Sequence, residues 1–118
     1  MKKLLIAILL VSLSISMTAQ EKKTLTLNED TNLIEAKIYH DTGVLAQTGF
    51  YTQEGLLQGE WISYNTDGVK TAVANYNLGK KVGTWLFYAG DILKEVTYLD
   101  SKILAVNTWN RDSKVVSN

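Results

Sequence analysis

The tryptophans constrain this chain most. All three of them, Trp61, Trp85 and Trp109, stand at intervals of 24 residues. Gly59-Glu60-Trp61-Ile62-Ser63-Tyr64 and Gly83-Thr84-Trp85-Leu86-Phe87-Tyr88 both read G-x-W-x-x-Y. A fixed period above about 20 residues is the mark of a repeat array, in which each unit buries its apolar surface against the next. The spacing therefore predicts stacked units of one supersecondary element rather than a single irregular core.

Alternation and turn chemistry say which element. Leu33–Tyr39 places Ile34, Ala36 and Ile38 between Glu35, Lys37 and Tyr39, the period of two that favours a strand. Further strands are expected at 44–52, 58–64, 69–77, 82–88, 92–99 and 103–109. Turn residues separate them: Gly43, Gly55, Asp67-Gly68 and Gly79, with Asp67-Gly68 the strongest signal for a two-residue hairpin turn. Tyrosines recur in the first strand of each unit, at Tyr51, Tyr76 and Tyr98, and close the second at Tyr64 and Tyr88. In the third unit the glycines become Ser101 and Asn107, the decay expected of a terminal repeat. With no proline and no cysteine, stability must come from strand pairing and aromatic layers. Tryptophan and tyrosine each bury about 150–250 Å². Gly59 and Gly83 lie two residues before a tryptophan, on the same strand face. They are expected to leave a gap that a neighbouring ring covers.

The N-terminus begins Met1-Lys2-Lys3 and runs apolar from Leu4 to about Leu13, followed by Thr18-Ala19-Gln20. This is the form of a secretory signal peptide, too short for the roughly 20 residues of a bilayer span. Cleavage after Ala19 leaves 99 of the 118 residues, enough for one domain. The expected organisation is a signal peptide over 1–19, a flexible segment over 20–32, a β-repeat domain over 33–109 and a tail over 110–118. Without Lys2 and Lys3 the chain carries 12 acidic and 10 basic residues, so nothing favours nucleic acid as a partner.

The G-x-W-x-x-Y cores, the Asp67-Gly68 turn and the run from Tyr76 through Gly79 and Gly83 to Trp85 resemble the MORN-repeat family in its bacterial variant form. The resemblance spans about 40–109. It implies an all-β, elongated antiparallel meander of β-hairpins, here preceded by a signal-peptide helix. It also implies a scaffolding or recognition role, in some members at membranes or phospholipid. Antitoxin-like labels and a nicotinic acid mononucleotide biosynthesis label occur among similar proteins. Neither a phosphate-cradling G-x-x-x-x-G-K-[ST] loop nor an H-x-G-H motif is present.

The residues themselves point away from catalysis. His40 is the only histidine and sits in an expected turn beside Asp41, where a solvated turn residue is the plain reading. No cofactor is expected. Trp61, Ser63, Trp85 and Phe87 share one strand parity, and Ile62, Tyr64, Leu86 and Tyr88 share the other, so both sheet faces are apolar. Either the sheet curls on itself or a partner covers one face. The expected function is a non-catalytic recognition module for a protein or cell-envelope component, with peripheral membrane or glycan contact as one form of it. Tyr64, Phe87, Tyr88, Lys80 and Lys81 are the candidate contact residues. An antitoxin-like neutraliser of one partner is the alternative.

Overall fold

The computed structural model describes residues 22–111. The expected signal peptide, 1–19, with its helix, and 112–118 of the expected tail lie outside them.

Nine strands form one open antiparallel sheet: β1 Lys23–Asn28, β2 Leu33–Tyr39, β3 Leu45–Tyr51, β4 Leu57–Tyr64, β5 Lys70–Asn77, β6 Lys80–Lys81, β7 Gly83–Ala89, β8 Ile92–Leu99 and β9 Lys102–Asn110. The order across the sheet is the order of the chain, with the two-residue β6 pairing β5 off the main path. Eight strands at about 4.8 Å put the two edges about 34 Å apart. The segment 20–32, expected to be flexible, contributes an ordered strand, β1, because Leu25 and Leu27 pair in register with Ala36 and Ile34. Lys80-Lys81, between the strands expected at 69–77 and 82–88, is strand β6, with Lys81 opposite Tyr76.

After the four-residue loop 29–32 between β1 and β2, the turns come in two kinds. His40–Val44, Thr52–Leu56 and Asn65–Val69 share one design. The first residue's amide donates to the carbonyl of the fifth, and the fourth residue's amide donates back to the first, all at 2.8–3.0 Å. The fourth residue is Gly43, Gly55 or Gly68, at φ 91°, 89° and 80°. This is a three-residue loop closed by a glycine bulge, not the two-residue turn expected at Asp67-Gly68. Asn65 fixes it further, because its side-chain oxygen accepts from the amides of Asp67 and Val69. The later hairpins are two-residue turns. Leu78-Gly79 and Asp100-Ser101 hold positive φ at both central positions.

Neighbouring units are stitched at these tips. The Gly79 amide donates to the Leu57 carbonyl and the Ser101 amide to the Lys81 carbonyl, each at 2.9 Å. The side chain of Gln58 accepts from the Leu78 amide at 2.7 Å. His40, expected as a solvated turn residue, is instead half-buried, and its Nε2 lies 2.9 Å from the Tyr64 carbonyl. Since a carbonyl only accepts, the ring donates, joining the turn after β2 to the end of β4.

The core is small. Ala36, Trp61, Val73, Trp85 and Val96 are its buried hydrophobics. Register divides it between the faces. Ala36 pairs with Gly49, Trp61 with Ala74, and Val96 with both Trp85 and Val106, all on what we term the front. Val73 lies between Ile62 and Leu86 on the back.

Candidate functional site

The front face is organised by two tryptophans held alike. The Trp61 indole N–H donates to the Phe50 carbonyl and that of Trp85 to the Asn75 carbonyl, both at 3.0 Å. Each acceptor directly precedes the tyrosine that packs on the same indole. Tyr51 meets Trp61 edge-on at 5.0 Å between centroids, and Tyr76 meets Trp85 at 5.2 Å. Tyr98 and Phe87 lie against Trp85 at 5.0 and 6.1 Å. Edge and tilted contacts of this kind are favoured by the ring quadrupole. The expected ring-on-ring layering thus holds for Tyr51–Trp61 and Tyr76–Trp85.

The expected third layer does not form. Trp109 pairs with Leu93, which pairs with Tyr88, and this row is on the back. The front position of β9 opposite Val96 is Val106. Trp61 and Trp85 are 3% and 8% exposed, whereas Trp109 is 39% exposed. A one-residue change in strand register moves a side chain to the opposite face. The irregularity between Thr97 and Tyr98 adds a residue to β9, and an even spacing in sequence does not survive it.

The glycines also take different roles from those expected. No ring covers Gly83, and Gly59 meets only the edge of the Phe50 ring, at ordinary contact distance. A Cβ on Gly59 would find Phe50 at 3.9 Å, and one on Gly83 would find Asn75 at 3.8 Å. Their φ values, 71° and 68°, are what glycine supplies there. The ring-covered glycine is Gly49, whose Cβ would fall inside the Trp61 indole. An isolated glycine within a strand is the sequence signal for such close approach.

Lysines sit over the rings. Lys23 Nζ is 5.4 Å from the Tyr51 centroid, and Lys81 Nζ is 5.1 and 5.2 Å from those of Trp85 and Tyr98. Lys94 stands on the same face, opposite Phe87 in register. Phe87, Ala89, Ile92 and Lys94 line a groove of 440 Å³ at one end of this face. The three glutamates borne by strands, Glu35, Glu60 and Glu95, register with Phe50, Asn75 and Leu86 on the back. The front strand charges are thus Lys23, Lys81 and Lys94. Burial, and then the neighbouring Tyr98, hold the Tyr76 phenol above its ordinary value of 10.0.

The expected contact residues do not share a surface. Phe87 and Lys81 belong to the front; Tyr64, Tyr88 and Lys80 belong to the back. The front residues that sequence reasoning missed are Gly49, Lys23 and Lys94. The back has its own hollow of 320 Å³, where Tyr88, Leu93 and Trp109 form a floor beside Asp91 and Arg111. Among the described residues, no three of His, Cys, Asp and Glu gather as a metal site. No family model, curated protein or solved structure matches the chain.

Proposed function

We propose that this chain is a non-catalytic recognition module, exported by its N-terminal segment, that binds an acidic protein or envelope component through the front face. We read its sheet as a repeat of the MORN kind, on the strength of the G-x-W-x-x-Y cores and the shared Tyr51–Trp61 and Tyr76–Trp85 geometry. The observation that carries the binding reading is that the front bears no strand carboxylate: Lys23, Lys81 and Lys94 stand there beside Tyr51, Trp85, Tyr98 and Phe87, whereas the strand glutamates lie on the back, together with Lys37, Lys80 and Lys102. A half-buried aromatic surface crowned by ammonium groups offers apolar area together with a cationic rim, which suits a partner carrying carboxylates or phosphates.

Crosslinking capture from the native envelope fraction tests this. Lys81→Glu with Lys94→Glu should abolish capture, and raised salt should weaken it. Glu60→Gln with Glu95→Gln on the back should leave it intact. Equal loss from both pairs, or capture indifferent to both, would overturn the reading.

A further inference from the structure

The outer edge of β1 carries an inference independent of the front-face reading. We propose that two copies of this chain pair through β1, antiparallel about a two-fold axis, to make one continuous sheet.

The phase of the edge comes from one hydrogen bond. The Tyr39 amide donates to the Lys22 carbonyl at 3.0 Å, so the backbone groups of Lys22 face β2. In an antiparallel ladder this direction alternates residue by residue. Lys23, Leu25 and Leu27 therefore turn their N–H and C=O groups outward. The same three residues place their side chains on the front, with Leu25 and Leu27 57% and 49% exposed. Such an edge is a template for another strand.

The sequence says which strand fits. From Lys22 to Asp30 the chain reads Lys-Lys-Thr-Leu-Thr-Leu-Asn-Glu-Asp. Folded against a copy of itself with Thr26 on the axis, Leu25 meets Leu27 of the copy, and Lys22 and Lys23 run beside the turn that carries the copy's Glu29 and Asp30. Opposite charges adjoin at both ends, and like charges nowhere. The register also agrees with the backbone. Leu25 and Leu27 form the hydrogen-bonded pair through their outward groups, and both copies keep the same face to the front. A slip of one residue would set leucine against threonine on the wrong face. The opposite edge, β9, carries no charge from Ile103 to Asn110, so it lacks this complementarity. An isologous contact closes at two copies, whereas β1 on β9 would grow without end.

The chain has no cysteine, so one can be introduced alone. Thr26 of each copy would form a non-hydrogen-bonded pair with Cα atoms about 4.5 Å apart, within disulfide range. Thr26→Cys should give a disulfide-linked dimer under mild oxidation. Thr24→Cys should not, since the two positions would lie about 14 Å apart along the strands. The interface is small, so sedimentation velocity should show monomer and dimer exchanging with concentration. Lys23→Glu should lose the dimer, and Lys23→Glu with Glu29→Lys should restore it. Tryptophan fluorescence matching wild type shows that each variant is folded. A monomer at all concentrations, equal crosslinking at positions 24 and 26, open-ended growth, or no response to Lys23→Glu would each overturn the proposal.

Discussion

The indole of Trp61 fills the space that any side chain at Gly49 would need. The two residues lie on adjacent strands, β3 and β4, at the irregularity between Thr48 and Phe50. The same ring is anchored by its N–H to the Phe50 carbonyl, so it cannot swing aside without losing that bond.

Gly49→Ala should therefore destabilise the fold by about 3 kcal/mol, the upper end for overpacking, read from urea unfolding. Its effect should be strongly non-additive with Trp61→Leu, because the smaller side chain vacates the space. Gly83→Ala is the contrast. No ring lies over it, so its cost is the left-handed backbone alone, about 1–2 kcal/mol, with unfolding still cooperative. Similar losses at positions 49 and 83 would show that the indole contact is not what requires glycine.

Trp85 and Trp109 should separate by a wide margin. Trp85→Ala removes a ring touched by Tyr76, Phe87, Tyr98 and Lys81, and about 3–5 kcal/mol is expected. Trp109→Ala removes a ring that is only partly covered, and a smaller loss of about 1–2 kcal/mol is expected. Acrylamide should quench the Trp109 emission first; its quenching would be lost in the Trp109→Phe variant.

Much of this was legible in the sequence, and the misses share a cause. Period-two alternation between turn signals marks seven of the strands to within a residue or two, and β2 and β8 at both ends. Which face a residue takes depends on turn length and bulges, because each inserted residue inverts the alternation. The first-strand tyrosines are spaced 25 and then 22 residues, while the tryptophans hold 24. That mismatch shows that rings and turns do not keep one register, and the irregularity between Thr97 and Tyr98 is why Trp109 keeps the count but leaves the row. The face-by-face separation of Lys23, Lys81 and Lys94 from the glutamates was hidden for the same reason. β6 was missed because two lysines after a glycine look like a solvated tip.

Leu78 sits at φ 49° as the first central residue of a two-residue turn and is largely exposed. Asparagine tolerates that conformation better, and Asn-Gly is the preferred pair for this turn. Leu78→Asn should stabilise by about 0.5–1 kcal/mol, since the amide that bonds Gln58 is retained. A lower midpoint in denaturant would mean that the leucine side chain contributes packing at the tip.

Alkali should act through Tyr76. Its folded phenol holds its proton more tightly than the unfolded one, so the unfolded chain ionises first. The resulting stability is intact below pH 10 and declines as pH rises beyond it. Tyr76→Phe should flatten that decline in unfolding curves taken on both sides of pH 10. An unchanged slope would place the alkaline loss on other groups.

Each strand finds its partners among its immediate chain neighbours, apart from β5 reaching past β6 to β7. A chain wired this way has a low contact order, so closing each loop costs little and assembly can zip outward from any hairpin. The same wiring lets the ribbon open from its ends inward. Amide exchange should be fastest in β1 and β9 and slowest near Trp61 and Val73, a gradient of local opening beneath the global transition.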